Sequence, residues 1–123
     1  MNDKILIIDD SHSMAKSMEL MLRKFKFQVE CAFNGKSGVE RIKIFKPDLI
    51  FLDIEMPGWN GFETLIEIKK LMNRNYTSHV IMVSGHHSHD DVIKAMQNGA
   101  QDYIVKPFDE ELLKEKLKKY LKF

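Results

Sequence analysis

Five short apolar runs divide the chain, and a segment with helical spacing follows each of them. The runs are residues 4–8, 27–33, 49–53, 80–83 and 103–105. Continuous apolar runs of this length are typical of strands that are buried on both faces of a parallel sheet. In the second run Gln28 and Glu30 alternate with apolar neighbours, which predicts a strand at the edge of the sheet.

Between the runs, apolar residues recur at three- and four-residue spacing, which predicts amphipathic helices. These stripes cover residues 14–25, 39–45, 62–72, 92–96 and 113–121. Ser11 and Asp109 are suited to cap the first and last helices, and Gly99 fits a helix C-cap. We expect a polar connection over residues 73–79 and a loop over residues 86–90.

The regular alternation of strand and helix predicts an α/β fold, a doubly wound (βα)5 sandwich around a five-stranded parallel sheet. Right-handed crossovers leave few topologies for such a chain. A length of 123 residues suits one domain with a substantial core, so we expect a single domain over residues 1–123.

The composition narrows the classes of partner and compartment. The formal net charge is +1, without a dominant basic block before the C-terminus, so direct binding to nucleic acid is not expected. One cysteine, Cys31, allows no intramolecular disulfide and fits a reducing compartment. Because no apolar run approaches membrane-spanning length, we expect a cytoplasmic protein without membrane insertion.

Four of the predicted strands end directly in a polar group. Asp9 and Asp10 follow the first strand, Asp53 ends the third, Ser84 follows the fourth and Lys106 follows the fifth. The carboxyl ends of parallel strands share one edge of the sheet, where open α/β folds bind their ligands. We therefore expect these side chains to lie together.

Three clustered carboxylates repel one another, and either protonation or a cation relieves the repulsion. Hard oxygen ligands suit Mg²⁺, which also accepts a phosphoryl oxygen. Lys106 and the Ser84 hydroxyl would complete a clamp for the outer oxygens of a transferring phosphoryl group. A carboxylate can be the nucleophile in such a transfer, so the pattern predicts that Asp53 accepts a phosphoryl group.

These strand-end motifs, in their order and spacing, resemble the receiver domain of two-component response regulators along the whole chain. The motifs are Asp9-Asp10, Leu52-Asp53-Ile54-Glu55-Met56-Pro57, Asn60-Gly61, Ser84-Gly85 and the segment 99–108. The resemblance implies a flavodoxin-like fold with strand order 2-1-3-4-5.

The resemblance also implies roles for the site residues. Asp53 would be the phosphoacceptor, with Lys106 and Ser84 contacting the phosphoryl group. Asp10, Asp53 and the backbone carbonyl of Glu55 would bind Mg²⁺ directly. Asp9 would bind the ion through a water molecule.

Further positions follow from the same resemblance. Tyr103 would be an aromatic switch that turns inward when Ser84 moves. The Lys106–Pro107 peptide would be cis. Glu55 and His86, each two residues beyond a site residue, would tune the lifetime of the acyl-phosphate.

The function implied is a stand-alone phosphoacceptor switch that assists its own phosphorylation and autodephosphorylation but is not otherwise an enzyme. A histidine kinase or a histidine phosphotransfer protein would supply the phosphoryl group. A downstream protein would bind the face made by the fourth helix, fifth strand and fifth helix. The protein would be a monomer or a weak, activation-dependent dimer, and motility control and a phosphorelay are equally open.

Other functions stay open at this point. One is a binding module that works without phosphorylation. A flavodoxin-like cofactor carrier would need a Ser/Thr/Gly-rich loop after the first strand, where Asp9 and Asp10 would repel phosphate. An aspartyl-phosphate phosphatase would need an Asp-x-Asp motif there. His86, His87 and His89 suggest a transition-metal site, but their loop position and the lack of a nearby cysteine favour a solvated loop.

Overall fold

The computed structural model describes residues 3–85 and 89–121, and strands and helices alternate along them. In chain order the elements are β1 (Lys4–Ile8), α1 (His12–Lys24), β2 (Gln28–Ala32), α2 (Gly35–Phe45), β3 (Leu49–Asp53), α3 (Gly61–Lys70), β4 (His79–Ser84), α4 (His89–Gln97), β5 (Asp102–Val105) and α5 (Glu110–Tyr120). No helix in these two described ranges has the length and apolar character needed to cross a membrane.

The five strands form one parallel sheet in the order β2-β1-β3-β4-β5, which confirms the predicted doubly wound topology. Every residue of β3 is buried, because this strand lies at the centre of the sheet with helices on both faces. The alternating strand β2 lies at the edge, as its pattern predicts.

The two faces of the sheet bury separate hydrophobic layers. Leu6, Ile8, Ile50 and Leu52 face one layer, which also contains buried residues of α2, α3 and α4. On the other face, Ile5, Ile7, Leu49 and Phe51 pack with buried residues of α1 and α5. Burying one such side chain stabilises the fold by about 1.5–3 kcal/mol, so both layers hold the central strands in register.

Three predicted boundaries need correction. β4 begins at His79, which was predicted as the last residue of a polar connection. β2 covers Gln28–Ala32 rather than residues 27–33, because its ladder partner β1 has five residues and pairs with those five alone. α4 begins at His89, inside the segment predicted as a loop over residues 86–90. Asp90 and Asp91 lie in its first turn, where acidic side chains interact favourably with the helix dipole.

Side-chain caps fix the start of the helices that follow the strands. Ser11 and Asp109 cap α1 and α5, as predicted. Asn60 and Glu63 form a reciprocal capping box at α3, with hydrogen bonds of 2.9 Å in both directions. These caps set the loops at the carboxyl edge of the sheet, where the polar strand ends lie.

Gly61 is the point where the loop after β3 folds back on the strand. Its N–H donates to the carbonyl oxygen of Ile54 at 2.8 Å. A Cβ atom here would lie 2.6 Å from the Asp53 carbonyl oxygen and 2.6 Å from the Ile54 Cα. Both neighbours are backbone atoms, so the close approach requires glycine at this position.

We predict that Gly61→Ala lowers the free energy of unfolding by about 1–3 kcal/mol, because the backbone at the end of β3 must shift. Gly85→Ala is the matched control, since a Cβ atom there meets nothing within 4 Å. Urea denaturation of both variants checks this. Equal stability of the two variants would show that the close approach at Gly61 is unimportant.

Candidate functional site

The three predicted carboxylates meet at the carboxyl edge of the sheet. Asp9 and Asp10 directly follow β1, and Asp53 ends the neighbouring strand β3. An oxygen from each of the three side chains lies within 4.8 Å of the others. Asp9 and Asp53 are only 6% and 4% exposed, whereas Asp10 is open to solvent. The cluster is therefore built from two buried acids and one accessible acid.

Lys106 reaches this cluster from the end of β5. Its Nζ atom donates to Asp9 Oδ2 at 3.1 Å and to Asp53 Oδ1 at 3.2 Å. Asp9 also accepts the backbone N–H of Ser11 at 2.9 Å, so its carboxylate is fixed from two sides. One ammonium among three carboxylates leaves the cluster with a net negative charge when all three are ionised.

Asp53 is the residue of the cluster whose pKa is most strongly shifted. Burial raises its pKa to about 7, and repulsion from Asp9 acts in the same direction. Lys106 lowers the pKa of Asp53, while the negative charge of Glu55 raises it further. For Lys106, burial lowers the pKa, but its hydrogen bond to Asp9 and its attraction to both acids outweigh burial and raise it. Lys106 therefore stays charged, whereas ionising Asp53 in the folded protein costs free energy.

The donor set fits Mg²⁺. The cluster offers carboxylate oxygens, the ligands that this hard cation prefers, and it contains no histidine or cysteine that would favour zinc. A divalent cation would also balance the negative charge that Lys106 leaves. Asp10, Asp53 and Asp9 are the side chains that would hold the ion.

Ser84 lies at the end of β4, one position after the residue that pairs with Asp53, and is fully buried. Its hydroxyl donates to Glu55 Oε2 at 2.7 Å, and the N–H of Gly85 donates to Glu55 Oε1 at 3.2 Å. The sequence predicted the Glu55 backbone carbonyl as a metal ligand and Glu55, two residues after Asp53, as a residue that tunes the acyl-phosphate lifetime. It did not predict this side-chain contact. The parallel pairing of β3 and β4 could have indicated it, because this pairing places the loops after the two strands side by side.

Tyr103 lies partly buried on β5 and is linked to the same serine. Burial raises the pKa of its hydroxyl, and a side-chain hydrogen bond with Ser84 opposes that shift. The backbone N–H of Lys106 donates to the Ser84 carbonyl at 2.7 Å, and the Lys106–Pro107 peptide is cis.

The sequence places three histidines after β4, at positions 86, 87 and 89. His86 and His87 lie outside the described residues, which leaves the predicted lifetime role of His86 as an expectation. His89 is exposed at the start of α4. The acidic cluster is the one candidate metal site among residues 3–85 and 89–121.

Several known proteins are similar to this chain in sequence and in fold. A family model described as the response regulator receiver domain matches residues 5–118. The chemotaxis protein CheY4 of Vibrio cholerae aligns with a TM-score of 0.92 at 26% identity, over 98% of this chain and 100% of that chain. A CheY-like receiver domain protein from Methanospirillum hungatei gives 0.88 at 31% identity, over 97% and 93% of the two chains.

A third similar structure is the BeF3-activated N-terminal receiver domain of RstA from Klebsiella pneumoniae. Its TM-score is 0.89 at 25% identity, and the match covers 98% of this chain and 100% of that chain. The similarity in all three structures therefore extends over nearly the whole chain.

We predict that Asp53→Asn stabilises the protein above pH 7 when no divalent cation is present. The folded protein holds the Asp53 proton to about pH 7, against an ordinary pKa of 3.8, so the free energy of unfolding falls as pH rises through this window. Asparagine removes that loss, which amounts to about 2–4 kcal/mol.

Urea denaturation in a chelating buffer at about pH 8 and about pH 4 measures this difference. The gain should be present at the higher pH and should shrink at the lower one, where Asp53 is protonated in the wild type. A gain of equal size at both pH values would contradict the electrostatic explanation.

Proposed function

Because this chain belongs to the receiver-domain family of two-component response regulators, we propose that Asp53 accepts a phosphoryl group and that this modification changes the protein's binding to a partner. The donor would be a phosphohistidine of a histidine kinase or of a histidine phosphotransfer protein. A cytoplasmic location, where such donors present their phosphohistidine, is part of the proposal.

Asp53 carries this proposal. Its carboxylate is 4% exposed, carries a pKa raised to about 7 and lies 3.2 Å from the Lys106 ammonium. For a carboxylate with a purely structural role, burial beside another acid only disfavours the ionised form. A nucleophile gains from it, because an oxygen stripped of water and held beside a cation is oriented toward an incoming electrophile.

In the transfer, an Asp53 oxygen forms a bond to phosphorus while the phosphorus–nitrogen bond breaks, and the bonding pair returns to the donor imidazole. Lys106 is placed to stabilise charge on an outer phosphoryl oxygen. Mg²⁺ bound by Asp10, Asp53 and the Glu55 carbonyl, with Asp9 behind a water, would offset the charge of the acids. The protein would assist the hydrolysis of its own acyl-phosphate. Glu55 and His86 would set the rate of that hydrolysis.

The output surface we propose is the face of α4, β5 and α5. On α4, the apolar side chains Ile93 and Met96 are 41% and 40% exposed. The hydrogen-bonded pair of Ser84 and Tyr103 connects the acidic cluster to β5 beside this helix. A phosphoryl group at Asp53 would draw in Ser84 and Lys106, and Tyr103 would follow.

A partner protein would then bind this face in one state more tightly than in the other. Residues 1–123 would form one receiver domain, acting as a monomer or as a weak dimer formed on activation. Motility control and a phosphorelay are the pathways we propose. The chemotaxis role named for Vibrio cholerae CheY4 is a reason to test motility.

The loop after β1 argues against the flavodoxin-like alternative. A cofactor phosphate would meet Asp9, whose carboxylate already accepts the Ser11 N–H that could otherwise bind an anion. Flavin binding is accordingly not expected. A binding module that works without phosphorylation remains the alternative outcome of the experiment below.

We predict that the wild type gains the mass of one phosphoryl group when incubated with a small phosphodonor or a phosphorylated histidine kinase, and that the gain requires Mg²⁺. Asp53→Asn should show no gain, because the nucleophilic oxygen is lost. Intact mass spectrometry measures both.

Asp48→Asn is the matched control, since this aspartate immediately precedes β3 at the opposite end of the strand and accepts the Lys4 N–H at 2.8 Å. It should be phosphorylated like the wild type. Phosphorylation of Asp53→Asn to the wild-type extent, or no modification of the wild type by any donor, would refute the proposed acceptor.

A further inference from the structure

We propose that the Glu55 carboxylate is an internal competitor of the phosphoryl group. In the unphosphorylated protein it occupies the hydroxyl of Ser84 and the N–H of Gly85, the donors that a phosphoryl group on Asp53 would recruit. This inference rests on the proposed function and adds an opposing residue to it.

The contact has the form of an anion site that is already filled. One carboxylate uses both of its oxygens, accepting from Ser84 Oγ at 2.7 Å and from the Gly85 N–H at 3.2 Å. The hydroxyl is fully buried, while the Glu55 side chain comes from an exposed position in the loop after β3. The Glu55 carboxylate thus occupies the Ser84 hydroxyl and the Gly85 N–H. While it does so, neither donor is available to a phosphoryl group on Asp53.

A serine hydroxyl has one proton and can donate it to one acceptor at a time. Val83, the residue before Ser84, pairs with Asp53 in the parallel ladder, so the serine follows the strand position beside the acceptor. A phosphoryl oxygen on Asp53 and the Glu55 carboxylate would therefore compete for the same proton. Forming the activated state requires that Glu55 release it.

The release reaches the output face through Tyr103. Tyr103 and Ser84 share a side-chain hydrogen bond. When the Ser84 hydroxyl changes its acceptor from Glu55 to a phosphoryl oxygen, the partner of Tyr103 in this hydrogen bond therefore moves. Glu55 is a positioning residue in this scheme, because it acts through Ser84. Its negative charge also opposes further negative charge at Asp53, and the experiment must separate these two effects.

A beryllofluoride titration at saturating Mg²⁺, followed by the backbone amide resonances in NMR spectra, measures the competition. Glu55→Ala removes both the charge and the acceptor, whereas Glu55→Gln removes the charge but keeps an acceptor oxygen. We expect Glu55→Ala to bind about tenfold more tightly than the wild type, since one charge-assisted hydrogen bond no longer has to be broken. Glu55→Gln should fall between the two.

Ser84→Ala supplies the coupling test. Without the hydroxyl there is no shared proton, so Glu55→Ala should change beryllofluoride affinity much less in the Ser84→Ala background than in the wild type. Glu67→Ala is the matched control, because it removes a carboxylate that pairs with Lys70 on α3 and contacts neither donor. It should leave the affinity unchanged.

A second measurement needs neither Mg²⁺ nor a phosphoryl analogue. In the unmodified protein, the Gly85 amide should exchange its hydrogen faster in Glu55→Ala than in the wild type, and Glu55→Gln should restore part of the protection. Unchanged exchange in Glu55→Ala would show that the carboxylate does not hold this amide, and would overturn the inference.

The outcomes of the titration separate the two proposals. If beryllofluoride binds the wild type and Glu55→Ala equally, or if Glu55→Gln matches Glu55→Ala and the effect persists without Ser84, competition is refuted and the proposed function stands. If beryllofluoride binds neither protein, the proposed function fails and the inference fails with it. Tighter binding by Glu55→Ala that depends on Ser84 supports competition.

Discussion

The ion-pair contacts of Lys106 are the interaction on which this site depends. Its ammonium lies 3.1 Å from Asp9 and 3.2 Å from Asp53, so it joins the ends of three strands that are distant in sequence. Without it, the buried acids of β1 and β3 would face each other unscreened. With it, the cluster is held together but remains negative, which suits a divalent cation and a phosphoryl group.

The hydrophobic layers make that arrangement possible. Because β3 is buried along its whole length, Asp53 enters the site from a rigid strand and loses most of its hydration. The same burial raises its pKa to about 7, so stability and chemistry oppose each other at this residue. The fold can carry this local cost because the apolar strands on both sides of the sheet contribute far more.

Much of this was predictable from the sequence, because apolar runs ending in acids define both the sheet and its edge. The parallel sheet and the meeting of Asp9, Asp10 and Asp53 followed from that pattern, whereas the strand order followed from the resemblance to receiver domains. The start of α4 did not, since acids in a first helical turn resemble a polar loop in sequence. The contact of Glu55 with Ser84 depends on loop conformation and a side-chain rotamer, and neither has a periodic signature.

The central claim is that the three carboxylates act as one site for a divalent cation. Carbon-13 NMR of the side-chain carboxyl groups during a Mg²⁺ titration tests it most directly. The account predicts that the resonances of Asp9, Asp10 and Asp53 shift together and saturate at one concentration, while those of distant acids such as Asp48 stay in place. Shifts spread evenly over all acidic residues, or none at the cluster, would contradict it.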